Sequence, residues 1–203
     1  SISHLYPAPY DMFLGIVIHQ QMKELVSQGL EVKVIAPVAW TPFPVKHLTP
    51  KWKAYSEVPQ HDVLECVEVL HPRHLVFPRA LFLASSGVRL YHSVKDMVTR
   101  MHYTFPFDLI HAHTALPDGY AAMLLAERLH KPLITTFQAT DLDITICRSK
   151  KCFDAINEVF KNSAAIIAPS PRLKETLQKK MGFESQVISY GIYEDDIFTG
   201  STT

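Results

Sequence analysis

The 203-residue chain has no run of about 18 consecutive apolar residues, which excludes a membrane-spanning helix. It has no basic excess either. Twenty Lys and Arg stand against twenty Asp and Glu, so the electrostatic footprint of a nucleic-acid-binding domain is missing. Cysteine is scarce. Cys66, Cys147 and Cys152 form no disulfide framework, which fits a reducing cytoplasm. Cys147 and Cys152 bracket Arg148-Ser-Lys-Lys151, but two ligands do not close a structural zinc site, and ordinary thiols near a loop–helix junction are the simpler reading. A signal-peptide pattern is lacking, and Ser1-Ile-Ser-His-Leu-Tyr6 reads as the tail of a strand whose beginning is missing. No Gly-x-Gly-x-x-Gly fingerprint and no Gly-Lys-Ser/Thr phosphate loop occur, which disfavours a dinucleotide fold. Internal repeats, low-complexity tracts and linkers between folded units are also missing, so one large domain over residues 1–200 is expected.

Four short apolar runs carry the fold. They are Asp108-Leu-Ile-His-Ala-His113, Pro132-Leu-Ile-Thr-Thr-Phe137, Ala164-Ala-Ile-Ile-Ala-Pro-Ser170 and Gln186-Val-Ile-Ser-Tyr-Gly191. Each is too short for a helix and is bounded by turn residues, as a fully buried parallel strand is. Helical patterns fill the gaps: Ile16 to Gln28 with Gly29 as C-terminal cap, Val88 to Met101, a segment opened by Pro117-Asp118, Lys151 to Asn162, and Ser170-Pro171 to Met181 closed by Gly182. Strands alternating with helices predict a doubly wound, mainly parallel, Rossmann-like α/β sheet flanked by helices. Glu31 to Ala36 is a further strand, and the alternation from Asp62 to Leu70 predicts one more. Residues 37–62, with five prolines and two tryptophans, read as a long irregular excursion.

In such sheets ligands bind at the carboxyl ends of the strands, where His113, Gln138 and Ser170 fall. Gly15, in the first loop before a helix, lets the backbone approach a ligand and leaves helix N–H groups for an anion; simple turn chemistry accounts for it equally well. His111 and His113 lie two apart and face one side of the strand. His113 is the better ligand contact, and His111 the better hydrogen-bonded core residue. Gln138, Thr140 and Asp141 suit a hydroxyl-rich ligand by their donors and acceptors, although Asp141 could instead cap the turn that follows. No Ser/His/Asp or Cys/His nucleophile set and no carboxylate pair stands out.

Taken in order, these segments resemble the N-terminal domain of a family 4 glycosyltransferase of GT-B architecture, with enzymes of teichuronic-acid-type polysaccharide biosynthesis the nearest in pattern. The carriers are Gly15; Gly29-Leu-Glu-Val-Lys-Val-Ile35; Asp108 to His113; Thr135-Thr-Phe-Gln-Ala-Thr-Asp141; Ala164 to Ser170; and Tyr190-Gly-Ile192 with Phe198. The resemblance implies one half of a GT-B fold, acceptor binding by this half, and a donor-binding C-terminal domain absent from this chain. It also implies transfer from a nucleotide-sugar to a glycan or lipid-linked acceptor, with retention at the anomeric carbon and without metal or other cofactor, by an enzyme inactive as this fragment alone. The expected cleft residues are Gly15, His113, Gln138, Thr140, Asp141 and Ser170. Gln138-Ala139 stands where the family has His-Gly, so the catalytic group is left unassigned; glutamine cannot act as acid or base near neutral pH. Tyr190 and Tyr193 stand where Asn and Asp are usual, with one extra residue before Phe198.

A non-catalytic sugar- or nucleotide-binding domain and half of a GT-B sugar-nucleotide epimerase are the rival readings. The resemblance also implies a cytoplasmic protein at the inner face of a membrane. Trp40, Phe43, Trp52, Arg73, Phe77, Arg79, Leu81 and Phe82 would form a basic-aromatic surface for that interface. An apolar flap packed on the domain is the simpler account of the same residues.

Overall fold

The computed structural model describes residues 1–191. In chain order the strands are β1 (Lys33–Ile35), β2 (Val38–Ala39), β3 (His61–Leu64), β4 (Val67–Leu70), β5 (Arg73–His74), β6 (Ile110–Ala112), β7 (Leu133–Thr136), β8 (Ala165–Ala168) and β9 (Gln186–Val187). The helices are α1 (Ile16–Ser27), α2 (Pro50–Glu57), α3 (Ser86–Thr104), α4 (Tyr120–Leu129), α5 (Ile146–Arg148), α6 (Lys150–Lys161) and α7 (Pro171–Met181).

Residues 1–3 sit in the middle of the sheet. Ile2 bridges Ile35 on one side and Ala112 on the other, both in parallel. Its N–H donates to the His111 carbonyl (2.8 Å), and Ser3 N–H donates to the Ile35 carbonyl (3.0 Å). The order across the sheet is β3, β4, β1, residues 1–3, β6, β7, β8, β9, and only β3 runs antiparallel. The chain therefore leaves the centre toward β1 and β4 and later returns to build β6 to β9 on the other side. That reversal is the topological switch point, and its crevice lies at the carboxyl ends of residues 1–3 and β6.

Two cores cover the two faces. Alternation within β1 sends Val34 to one core with Ile18, Met22, Val67 and Val69, and Ile35 to the other. The larger core gathers Leu90, Val94 and Val98 of α3, Ala121 and Leu125 of α4, Ile156 and Phe160 of α6, and Leu173 and Leu177 of α7. On the smaller-core face α1 packs over β1 and β4. Farther along, a groove of about 640 Å³ runs beside His111, Ile134, Ile167 and Ile188.

Helix boundaries follow local chemistry. Ser170 accepts from Leu173 N–H (3.3 Å) with Pro171 in the first turn, and Gly182 (φ +77°) closes α7, as the sequence predicts. Three expectations fail. The excursion contains α2, started by the same device: Thr49 accepts from Trp52 N–H (3.1 Å) before Pro50. The alternation from Asp62 to Leu70 is a hairpin, β3 and β4, turned at Glu65 (φ 43°) and Cys66 (φ 73°). Side chains of the two strands keep period two, so periodicity alone hides the reversal when no Asn or Gly marks the turn. β9 is an exposed edge strand rather than a buried one.

Candidate functional site

The switch-point crevice opens into a cavity of about 410 Å³, walled mainly by apolar side chains and by His4, Tyr10, Tyr55, His74 and Arg89. His4 enters it because the chain bends out of the sheet directly after Ser3. Its Nδ1 lies 2.8 Å from Asp118 Oδ2, and its backbone N–H donates to the same oxygen (3.0 Å). Thr114 Oγ1 donates to that oxygen as well, at 3.1 Å. Asp118 is completely buried; His4 is about one-third exposed, and no hydrogen bond to its Nε2 occurs among the described residues. Burial works against charge on the imidazole, but the Asp118 carboxylate outweighs it, with a smaller contribution from Asp141, and the His4 pKa is raised above 6.5. Burial likewise opposes the Asp118 charge, and His4 with Thr114 holds its pKa below the usual value. The result is an oriented, charge-supported imidazole with one ring nitrogen available at the cavity wall.

His74 behaves oppositely. Its Nδ1 donates to the Val38 carbonyl (3.2 Å), and burial lowers its pKa to about 4, so it is neutral. Arg89 reaches across the cavity rim: Nε to the Leu75 carbonyl (3.4 Å), Nη2 to the Phe82 carbonyl (3.2 Å), Nη1 to Ser85 Oγ (2.7 Å). The cavity thus has apolar walls, two tyrosines, the carboxylate-supported imidazole of His4, the neutral one of His74 and the Arg89 guanidinium.

The six sequence-predicted site residues take different places. Gly15 has φ +62°, and a Cβ there would stand 2.2 Å from the Leu5 carbonyl oxygen, so the position is closed to other residues by the chain's own first loop. His113 is fully buried, its ring 4.1 Å from that of His111, with neither ring nitrogen hydrogen-bonded. Desolvation, with His111 beside it, holds it neutral. His111 Nε2 meets Thr136 Oγ1 at 2.8 Å, the hydrogen-bonded core residue expected. Gln138 donates its amide to the His113 carbonyl (3.2 Å) and to the Tyr190 hydroxyl, tying the β6, β7 and β9 ends together. Asp141 accepts from Gln138 N–H (2.9 Å) and Ala115 N–H (3.1 Å), and burial pushes its carboxyl up to about 6. Thr140 is exposed, and Ser170 spends its hydroxyl on the α7 cap. Ile192, Tyr193 and Phe198 lie outside the described residues. Sequence reasoning missed His4, and took Asp118 only as a helix opener. The clue was the position of His4, one residue past the central strand, where a switch-point ligand would meet it.

A Rossmann-like sheet with a cavity over its switch point is the layout of one half of a GT-B glycosyltransferase. Solved enzymes of that class superpose on the chain. Sucrose-phosphate synthase from Thermosynechococcus elongatus matches with a TM-score of 0.62 at 13% identity, covering 96% of this chain and 88% of the solved one. Arabidopsis thaliana UGT89C1, solved with UDP, matches with a TM-score of 0.53 at 13% identity, covering 89% and 47%. Residues 14–195 match Glycosyltransferase Family 4, and the chain belongs to that family. The TuaC protein of Bacillus subtilis (strain 168), described as a teichuronic acid biosynthesis glycosyltransferase, is 30% identical over 192 residues. The match takes in 94% of this chain and 49% of TuaC, so the chain spans about half the length of that relative.

Proposed function

We propose that this domain is the acceptor-binding half of a retaining glycosyltransferase that moves a sugar from a nucleotide-sugar donor to a glycan or lipid-linked acceptor without a metal. In this reading a second Rossmann-like domain holds most of the donor, and the 203 residues alone turn nothing over. The observation that carries the reading is His4, oriented by a buried carboxylate, with its free Nε2 on the wall of the switch-point cavity. An imidazole so held can donate to or accept from an acceptor hydroxyl and fix its oxygen for attack on the anomeric carbon. Tyr10 and Tyr55 add hydroxyls suited to a sugar, and the apolar walls suit the flatter faces of its ring. Gln138 serves as a tie between strand ends rather than as a proton carrier, in keeping with its amide chemistry.

The test is donor hydrolysis and transfer across UDP-, GDP- and ADP-sugars, comparing these residues with a protein that also carries the second domain. Turnover by the longer protein alone, giving a product of unchanged anomeric configuration, is the expected result. Silence from both would move the weight to a sugar-binding domain without catalysis.

A further inference from the structure

Arg89 brings to the cavity a fixed charge that no carboxylate among the described residues balances. Its hydrogen bonds go to two carbonyls and a hydroxyl, and burial, with no acid opposing it, lowers its pKa. The other lining charge is already matched, since His4 rests on Asp118. Burial raises the Tyr10 hydroxyl, and beside it Asp11 and Arg73 act in opposite senses. Asp141 does not line the cavity, and its Oδ2 is taken by the Gln138 and Ala115 N–H groups. Most of the lining comes from the stretches 32–56 and 71–95, in which Asp and Glu are absent. Nor does helix stability ask for this cation. Arg89 is the fourth residue of α3, whose first turn has no acidic residue, and a positive charge there opposes the helix dipole. Three donors engaged on neutral acceptors leave one N–H bond on each Nη for a ligand.

His74 adds a second constraint. Its ring lines the cavity and is 8% exposed. Nδ1–H donates to the Val38 carbonyl, which fixes the tautomer and leaves a lone pair on Nε2. No hydrogen bond to that nitrogen occurs among the described residues. Burial chiefly, with His4 and Arg89 adding to it against the pull of Asp118, holds the ring neutral. Nε2 is therefore a fixed acceptor, to be met by a ligand hydroxyl. A fixed acceptor and an unbalanced cation on one apolar cavity define a ligand with hydroxyls and a negative charge.

The count of charges selects the anion. One guanidinium offsets one negative charge. A phosphate monoester brings up to about two, and the excess taken between apolar walls costs free energy. A carboxylate brings one, and its two oxygens match the guanidinium fork. We propose that the acceptor is a sugar acid, its carboxylate held by Arg89 and one of its hydroxyls by His74 Nε2. The proposal rests on the acceptor reading of the cavity and adds to it the two residues that set acceptor specificity. No bond changes at either; they hold the sugar while His4 meets the attacking hydroxyl.

Equilibrium binding to the 203-residue chain, followed by NMR, tests it. The probes are methyl glucuronide, methyl glucoside, methyl glucuronamide and glucose 6-phosphate. The glucuronide is expected to bind about tenfold or more tighter than the glucoside, as a charge-assisted hydrogen bond warrants, and to shift the His4 and His74 ring signals. High salt should weaken the glucuronide and leave the glucoside unchanged. The glucuronamide, a neutral isostere, should fall to the level of the glucoside; this arm needs no variant. Arg89→Gln should level the two glycosides, its fold checked by the amide spectrum because Arg89 also holds the Leu75 and Phe82 carbonyls. His74→Phe should weaken both alike and preserve their ratio. Equal affinity for glucuronide and glucoside overturns the proposal and leaves the acceptor reading standing. Tightest binding by glucose 6-phosphate overturns it too and assigns Arg89 to a phosphate. Shifts that map away from the cavity, or none with any of the four sugars, remove the acceptor reading and the proposal with it.

Discussion

His4 and Asp118 stand 114 positions apart in sequence and 2.8 Å apart in the fold, and each shifts the other's titration. A histidine whose folded pKa is raised stabilises the fold fully below its unfolded value of 6.5 and loses that contribution as pH climbs through the folded value. Asp118 acts at the other end: its lowered pKa stabilises above the unfolded 3.8 and fails as pH falls through the folded value. Asp141 has the opposite sign to Asp118. Its carboxyl, pushed from 3.8 to about 6, favours the fold when protonated, and that advantage fades across this interval as pH rises, on the order of 3 kcal/mol at full ionisation. Asp118→Asn is therefore expected to lower the His4 pKa, read as a downfield-to-upfield displacement of its ring Cε1–H titration by NMR. An unmoved titration would dissolve the pair as an electrostatic unit. In the transferase reading, His4→Gln should cut transfer by about 10²-fold and remove an ionisation from the pH profile, while donor binding persists.

Among the elements, α7 was legible from Ser170-Pro171 and Gly182 because cap and terminator are local chemistry written in adjacent residues. Thr49-Pro50 carried the same signal before α2, yet the four other prolines of residues 37–62 masked it. The β3–β4 turn was hidden for a different reason: Glu65 and Cys66 occupy left-handed backbone without the glycine or asparagine that announces it. Glu65 has compensation, since its carboxylate accepts from Lys23 (2.9 Å) and meets His19 Nε2 (3.3 Å). Cys66 is exposed, so its backbone strain is relieved most simply by substitution. Cys66→Gly is expected to raise stability by about 0.5 to 1 kcal/mol, the αL penalty less the extra unfolded-chain entropy of glycine. Glu65→Gly should give no such gain, because it also discards both partners. Urea midpoints for the two variants decide it.

At the scale of the whole molecule, strand–helix alternation was enough to announce the doubly wound sheet, and strand ends were enough to point at its carboxyl edge. The cavity itself was not legible, because His4, Tyr55, His74 and Arg89 come from separate segments that only the sheet order brings together. Nor could sequence show how unequally the two faces of the sheet are covered. Leu133 of β7, 1% exposed, points into the core shared by α3, α4, α6 and α7, whereas Ile188, 45% exposed, lies on the groove beside Ile134 and Ile167. Both are aliphatic side chains at the same side of the switch point, so their substitution isolates the effect of the covering helices. Leu133→Ala should cost about 2–5 kcal/mol through lost transfer free energy and the cavity left behind. Ile188→Lys should stay within about 0.5 kcal/mol, since water already reaches the site and the ammonium can remain in it. Equilibrium denaturation of both variants measures the contrast; a large cost at Ile188 would mean that in solution the groove closes on itself and this face is as buried as the other.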